Sequence, residues 1–299
     1  MRVEAAVPAL LTEVDAHRVE PGHWTAQVPR DWWSWAGPHG GVLAALNLHA
    51  AGDAGPAGMT PRALSARFHR AAGPEPLVVR SAAERPGAST AIVTTETRQA
   101  GTTVLSTVTT LTAPRSGPLR QHVRPPTPPA PDTCYTFQLP VDFVPFGAHL
   151  EIRPAGGALP LTGSDLAEMR AWLRLRASRA IASGGTEPHD RPGPDDRPAP
   201  DGGTLPVDAA VAVVLVDALP PGIFPLLTAP VAVPTVELSV HFHVDLEAAP
   251  VDDWVFAVQR NASCSDGWCV DETELWSRDG RLLVQGRQLR RVLDGSGLS

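Results

Sequence analysis

The chain has 299 residues and a formal net charge of −7 at pH 7. This acidic balance argues against a nucleic-acid partner, which requires a basic face. The sequence also lacks a basic amphipathic stretch of the kind that binds a membrane surface. All 25 residues counted as Lys or Arg are arginine. The absence of lysine excludes Schiff-base chemistry, a pyridoxal-phosphate anchor and a phosphate-loop lysine.

The cysteines and the N-terminus indicate the compartment. Cys134, Cys264 and Cys269 show no framework spacing, which favours a reducing environment. Residues 1–15 make a poor signal peptide because Glu4 and Pro8 interrupt the apolar stretch. No run of 18 apolar residues is present to span a membrane. We therefore expect a soluble cytoplasmic protein.

The first half begins with a predicted strand over residues 19–28. A helix follows from about Gly40, where apolar residues take helical spacing, and Gly52 is its expected end. Runs rich in Val, Thr and Ala then predict four strands, near 61–71, 76–85, 89–99 and 102–113.

A proline-rich segment divides the chain. Its composition predicts a stiff linker over 116–132 between an N-terminal unit, 1–115, and a C-terminal unit, 133–299. Within the second unit, the polar, low-complexity segment 183–203 predicts a disordered loop.

The second unit repeats the order of elements in the first. Residues 169–178 alternate apolar and polar side chains, as in a strand with one wet face. Residues 207–224 predict a helix that is apolar nearly all round, and therefore buried, with Pro220 and Pro221 at its end. Four further strand-like runs extend to about residue 293.

A repeat links the two halves. LSARFH (64–69) and LSVHFH (238–243) are each followed by strand-like runs and a glycine turn, at Gly101 and Gly280. Each half therefore combines a buried helix with a curved antiparallel sheet, which predicts an α+β fold of two tandem hotdog units, a double hotdog. Alignment of the repeats places Ala63 opposite Glu237 and Thr109 opposite Gln288, so a complete site is expected only in the second half.

Several motifs, in their order and spacing, resemble the acyl-CoA thioesterase II family of double-hotdog enzymes. They are GPHGG (37–41), RALSARFHR (62–70), VDALPPGIF (216–224), TVELSVHFH (235–243) and DGWCVDETELWSRDGRLLVQGRQLR (266–290). The resemblance implies a carboxylate, a Ser/Thr-type residue and a glutamine that activate water on a thioester. It places Glu237 at the carboxylate position, where the family has Asp, and Gln288 at the glutamine position. The third position falls within 261–265, where Asn261 and Ser263 are the candidates in place of a threonine.

The residues themselves support two of these assignments. Glu237 lies in an apolar run, where a buried carboxylate is costly unless it is paired or functional, and it would suit a general base. Alternation along an edge strand would instead point it to solvent. The amide of Gln288 can donate to an oxyanion or orient a water, whereas a solvated strand face is the simpler alternative.

The segment before the first helix supplies candidate binding groups. Free backbone amides at Gly40 and Gly41 would attract a thioester oxygen or a coenzyme-A phosphate, with His39 as a further donor. A purely steric turn is the alternative. Trp32 is a candidate wall of an acyl tunnel, or else a packing residue. Asp217 is a candidate accessory carboxylate facing the cavity, or else a group bonded near the helix end.

No metal or cofactor is expected. His241 and His243 share a strand face but lack an evident third ligand, and Cys264 and Cys269 do not form a CxxC pair. We expect hydrolysis of an acyl-CoA or acyl-carrier thioester, in lipid or polyketide metabolism, by a homo-oligomer. The alternatives are a non-hydrolytic hotdog enzyme (a dehydratase, an isomerase or a polyketide-tailoring enzyme) and a protein that binds acyl thioesters or other hydrophobic ligands.

Overall fold

Two helices lie against each other on one antiparallel sheet of twelve strands in the computed structural model, which describes residues 8–115, 117–118, 120–177, 203–251 and 254–293. The elements in chain order are α1 (Ala9–Glu13), β1 (Ala16–Glu20), β2 (His23–Ala26), α2 (Gly40–Ala54), β3 (Thr60–Phe68), β4 (Leu77–Pro86), β5 (Thr90–Gln99), β6 (Thr102–Thr112), β7 (Leu150–Gly157), β8 (Glu168–Leu175), α3 (Ala209–Val216), β9 (Thr235–Phe242), β10 (Val255–Ser265), β11 (Trp268–Trp276) and β12 (Leu282–Arg291). The strand order is β1-β2-β4-β5-β6-β3-β9-β12-β11-β10-β8-β7.

The two repeated segments meet at the centre of this sheet. β3 pairs antiparallel with β9, and Ser65 of the first LS segment lies opposite Ser239 of the second. Residues on either side of the two serines exchange partners symmetrically: Leu64 pairs with Val240, and Ala66 with Leu238. A local twofold axis therefore relates the halves, as expected for a duplicated unit.

Strand register agrees with the alignment of the repeats. Thr109 of β6 pairs with Leu64 of β3, and Gln288 of β12 pairs with Leu238 of β9. Leu64 and Leu238 are the same position of the repeated segment, so Thr109 and Gln288 are structurally equivalent. Both side chains are buried, but only Gln288 carries an amide.

Helix α3 forms although its sequence, AAVAVVLV, contains four valines. Its N-cap Asp208 accepts a hydrogen bond from the backbone of Val211 (2.8 Å), which satisfies one of the free amides of the first turn. All eight residues are at most 4% exposed. Burial on every side therefore outweighs the weak helix propensity of β-branched residues.

Among the sequence-based boundaries that differ from the structure, three involve a turn or a helix end. The strand predicted over 19–28 is the β1–β2 hairpin, which turns at Gly22 with a φ of 72°. Helix α2 continues past Gly52 to Ala54. Helix α3 ends at Val216, before Pro220, because Asp217 caps it and turns the chain toward the proline pair.

The proline-rich segment lies along the second half. The Trp172 indole donates to Pro129 O (2.8 Å), and Gln121 bridges Gly280 O (3.1 Å) and the amide of Leu282 (2.9 Å). The predicted disordered loop at 183–203 falls outside the described residues, except for Gly203. No helix in the described ranges is long and apolar enough to cross a membrane.

The cysteine spacing predicts a reducing environment, but two of the three cysteines are paired in the structure. Cys264 and Cys269 form a disulfide across the β10–β11 turn, and Cys134 is free. The sequence offered no pairing motif because this bridge joins directly opposed residues of a hairpin, a relationship that only the strand register defines.

Candidate active site

Asp217 occupies the centre of a buried polar cluster between the two helices. It follows the last residue of α3, and its side chain is 9% exposed. Its Oδ2 accepts a hydrogen bond from the backbone amide of Gly41 at the start of α2 (2.8 Å). The free amides at a helix start favour a negative charge, so α2 supplies the site that holds this carboxylate.

Gln288 contacts the Asp217 carboxylate directly, and Thr235 contacts the Gln288 amide. The Gln288 amide donates from Nε2 to Asp217 Oδ1 (2.6 Å) and to Thr235 Oγ1 (3.2 Å). Gln288 is 1% exposed, whereas Thr235 is partly exposed. An acid, an amide and a hydroxyl from three separate elements therefore converge.

Two glycines allow the end of α3 to lie close to β12 and to the start of α2. A Cβ on Gly286 of β12 would lie 2.2 Å from Val216 Cγ1, so only glycine lets the end of α3 rest on this strand. A Cβ on Gly40 would lie 2.9 Å from Asp217 Oδ2. The two glycines keep the carboxylate close both to the sheet and to the start of α2.

A β-bulge in β9 decides which side chains face the cluster. Glu237 pairs with Leu289 of β12, but Thr235 pairs with Arg290, so the register shifts by one residue at Val236. Such a bulge redirects the side chains beyond it. Thr235 consequently faces inward, although it lies two residues from the outward-facing Glu237.

Arg290 and Asp271 form a second layer. Arg290 Nη2 donates to Gln288 Oε1 (2.7 Å), and its Nε lies 2.8 Å from Asp271 Oδ2. Asp271 also accepts from the Gly222 amide (2.9 Å) and from Asn261 Nδ2 (2.8 Å). Arg290 is 5% and Asp271 1% exposed, so this ion pair is shielded from solvent.

His39 borders the cluster on the α2 side. Its Nε2 lies 3.1 Å from the backbone O of Asp217, and its ring stacks on Phe146 with centroids 4.0 Å apart. Burial lowers the pKa of His39 from its ordinary value. The neutral ring donates from Nε2, and its Nδ1 has no hydrogen-bond partner in the described residues.

The amide of Gly40 is an available donor beside the carboxylate. Within the described residues its N–H makes no hydrogen bond, and the residue is partly exposed. It lies in the first turn of α2, where the helix itself provides no acceptor. An oxygen bound there would lie next to Asp217.

The structure brings together five of the predicted site residues: Gln288, Asp217, His39, Gly40 and Gly41. Asn261 is near but indirect, since it contacts Asp271. Sequence reasoning missed Thr235, Asp271 and Arg290. Arg290 lies two residues after Gln288 on the same strand, so the alternation of side chains could have indicated that it faces inward. The inward orientation of Thr235 follows from the bulge, which the sequence does not reveal.

Three predicted residues lie elsewhere. Glu237 is on the outer face of β9, where its side chain is 36% exposed and its carboxylate lies 3.6 Å from Arg67 Nη2, so the expected pairing with Gln288 is not observed. Ser263 is exposed, beyond a bulge in β10. Trp32 is 0% exposed and stacks on His149 with centroids 4.0 Å apart, so it packs in the core rather than lining a tunnel.

One crevice in the described residues lies apart from this cluster. It has a volume of about 420 Å³ and lies on the outer face of the first half, between side chains that include Arg67, Arg80 and Glu96. Its lining holds no group in contact with Asp217. The converging hydrogen bonds, rather than cavity size, therefore define the candidate site.

Comparison with known families identifies both halves of the chain. The family model for the acyl-CoA thioesterase C-terminal domain matches residues 119–292, and the model for the N-terminal domain matches residues 29–113. The chain belongs to the acyl-CoA thioesterase family. It is therefore a thioesterase-type hydrolase, as the resemblance implied.

Solved structures confirm the predicted double-hotdog fold. A hot dog fold protein of unknown function from Alicyclobacillus acidocaldarius aligns with a TM-score of 0.79 at 23% identity, over 96% of this chain and 99% of that one. A candidate thioesterase II of Thermobifida fusca gives 0.75 at 20%, over 97% and 99%. The acyl-CoA thioesterase II TesB2 of Mycobacterium marinum gives 0.69 at 18%, over 96% and 99%. Comparison with curated proteins finds no match.

Proposed function

We propose that this thioesterase hydrolyses acyl-CoA or acyl-carrier thioesters with a water activated by Asp217, Gln288 and Thr235. The observation that carries the proposal is the direct contact of Gln288 Nε2 with both Asp217 Oδ1 and Thr235 Oγ1 (2.6 and 3.2 Å). In the proposed mechanism these three groups serve as a proton acceptor, an amide donor and a hydroxyl around one water.

Asp217 is the proton acceptor in this scheme. A carboxylate offers about four lone-pair positions, and the amides of Gly41 and Gln288, with the more distant Arg290 Nη2 (3.5 Å), occupy three of those on Asp217. A water held by Thr235 can therefore bond to a remaining lone pair. As the water oxygen attacks the thioester carbon, its proton passes to Asp217, in a general-base step.

The start of α2 stabilises the developing negative charge. The Gly40 N–H lies in the first turn of α2, and a Cβ on Gly40 would lie 2.9 Å from Asp217 Oδ2. A thioester carbonyl bonded to this N–H would therefore lie near the water in this scheme. Collapse of the tetrahedral intermediate breaks the carbon–sulfur bond. The products are the free acid and the thiol, which takes up the proton held by Asp217.

Thiol release tests the proposal. Acyl-CoAs of short, long and branched chains are incubated with the wild type, Asp217→Asn and Glu237→Gln, and free thiol is measured. Loss of a general base typically costs about 10²- to 10⁴-fold, so Asp217→Asn should lose activity by that order. Glu237→Gln is the matched control, because it neutralises a carboxylate on the outer face, and it should retain the wild-type rate.

Product mass separates the proposal from its alternatives. The free acid is expected from a hydrolase, whereas loss of water from the acyl group would indicate a dehydratase. Equal loss of rate in Glu237→Gln and Asp217→Asn would refute the assignment of the base. Binding of acyl-CoA and acyl-carrier thioesters without release of any product would refute hydrolysis.

A further inference from the structure

Arg290 is an unusual occupant of a hydrophobic core. Arginine is rarely buried unless it is paired, and Arg290 is 5% exposed on the inward face of β12. Its Nη2 lies 2.7 Å from Gln288 Oε1 and 3.5 Å from Asp217 Oδ1. The guanidinium therefore contacts both members of the carboxylate–amide pair.

The contact with Gln288 fixes the orientation of an amide. A glutamine side chain can present either its oxygen or its nitrogen to a neighbour. Arginine has only donors, so Gln288 must direct Oε1 to Arg290 and Nε2 to Asp217 and Thr235. The reversed amide would place an oxygen against the Asp217 carboxylate and a nitrogen against the guanidinium.

Asp271 holds Arg290 in this position. Its carboxylate lies 2.8 Å from Arg290 Nε and is itself bound by Gly222 N and Asn261 Nδ2 (2.9 and 2.8 Å). A Cβ on Gly222 would lie 2.6 Å from Asp271 Oδ1, so the loop after Asp217 closes on this carboxylate only because the residue is glycine. Asp271 is thus an immobilised counterion.

We propose that Arg290 is a positioning residue that acts through Gln288, and that Asp271 is the counterion that holds it there. Arg290 itself needs no contact with the substrate. Its effect is to keep the Gln288 amide aimed at the water-binding position, a role that rests on the proposed function. A buried ion pair adds little stability of its own, which agrees with a role in orientation.

A double-mutant cycle in kcat tests this role. The variants are Arg290→Met, Gln288→Leu and the double variant, measured with the best substrate of the thiol-release panel. Loss of one oriented donor typically costs about 10²- to 10³-fold, and we expect Arg290→Met to lower kcat by roughly 10- to 100-fold with KM nearly unchanged. In the Gln288→Leu background the same change should have almost no further effect on kcat, because residues that act as a unit are not additive.

Two further variants separate charge from geometry. Arg290→Lys keeps the charge but cannot bind Gln288 and Asp271 with separate nitrogens, so it should rescue only a small part of kcat. Arg287→Met is the matched control: Arg287 lies on the same strand with its side chain 66% exposed, and it should retain wild-type kcat. Losses that multiply in the cycle, or full rescue by lysine, would overturn the positioning role.

A measurement without turnover keeps this inference separate from the proposed function. The side-chain amide signal of Gln288 in ¹⁵N-labelled protein is identified as the one absent in Gln288→Leu. Arg290→Met should shift that signal and accelerate its hydrogen exchange, even if the wild type releases no thiol. An unchanged signal would overturn the inference. Should Arg290→Met fail to fold, Asp271→Asn provides the same test with the guanidinium still present, and a shift of the Gln288 signal is again expected.

Discussion

Thr235 lies opposite Arg290 across the β9–β12 ladder, one residue out of the register that Glu237 and Leu289 keep. This bulge turns the Thr235 hydroxyl toward Gln288 (3.2 Å from Nε2). A regular strand would instead direct Thr235 to the outer face together with Glu237, since side chains two residues apart share a face. The bulge therefore brings the hydroxyl into the site.

The hydroxyl of Thr235 should matter more than its methyl group. We expect Thr235→Ala to lower kcat by about 10- to 100-fold, less than the roughly 10²- to 10³-fold cost of losing an oxyanion donor, because Thr235 only helps to hold the water. Thr235→Ser keeps the hydroxyl and should keep most of the activity. Steady-state thiol release measures both variants. Similar losses in the two would show that packing, rather than the hydroxyl, is what Thr235 contributes.

Substitutions at the neighbouring Gly40 and Gly41 should affect activity and stability, respectively. A methyl at Gly40 would lie 2.9 Å from Asp217 Oδ2, beside the proposed oxyanion donor. A methyl at Gly41 would instead lie 2.9 Å from the Val214 Cα, between the two helices. We expect Gly40→Ala to reduce kcat with little change in Tm, and Gly41→Ala to lower the free energy of unfolding by about 1–3 kcal/mol through overpacking.

Urea unfolding followed by circular dichroism, together with thiol release, distinguishes the two effects. If Gly40→Ala unfolds at lower urea but works at the normal rate when folded, the methyl group disturbs packing rather than Asp217 and the proposed oxyanion position.

A side chain introduced at Gly286 should clash with α3, and a smaller residue at Val216 should relieve that clash. A Cβ on Gly286 would lie 2.2 Å from Val216 Cγ1, and Val216 is 1% exposed. Gly286→Ala should therefore destabilise the protein by about 1–3 kcal/mol, and Val216→Ala in the same chain should recover part of this loss. The free energies of unfolding of the single and double variants test the coupling, and purely additive losses would contradict it.

Stability should fall in mild acid because of His49. Burial lowers its pKa to about 4 from an ordinary value of 6.5. Between these values the unfolded chain binds a proton at His49 that the folded chain does not, so unfolding becomes easier as the pH falls from 6.5 to about 4. A shift of this size is worth about 3 kcal/mol, from 1.36 kcal/mol per pH unit.

The variant that tests this effect is His49→Phe. The His49 ring packs edge-on against Trp24 with centroids 4.8 Å apart, and phenylalanine can keep that aromatic contact. The variant should lose less stability than the wild type between pH 6.5 and pH 4, measured by urea unfolding. An equal loss in both proteins would exclude His49 as the source.

The sequence predicted much of the fold because the repeat and the hydrophobic pattern are local signals. The alignment of the two LS segments places Thr109 opposite Gln288, and the strand register agrees with this equivalence. Helix α2 starts at Gly40 as its apolar spacing indicated.

The site was predicted only in part because a shift of one residue reverses the face of a strand. The sequence predicts Glu237, on the strand, as the base and Asp217 only as an accessory carboxylate. Neither periodicity nor composition reveals the bulge at Val236, so the sequence predicts the third polar group near Asn261 rather than at Thr235. The contact between Arg290 and Asp271 joins inward positions of two neighbouring strands, a relationship that no local sequence pattern indicates.

The seam between β3 and β9 makes this enzyme suitable for division into two pieces. Gly40 and Gly41 come from the first half, whereas Asp217, Thr235 and Gln288 come from the second, and the halves meet through backbone pairing around Ser65 and Ser239. Fragments separated within the proline-rich segment would each hold an incomplete site and a complementary strand edge. Thioester hydrolysis would then report their reassembly, with each fragment silent alone.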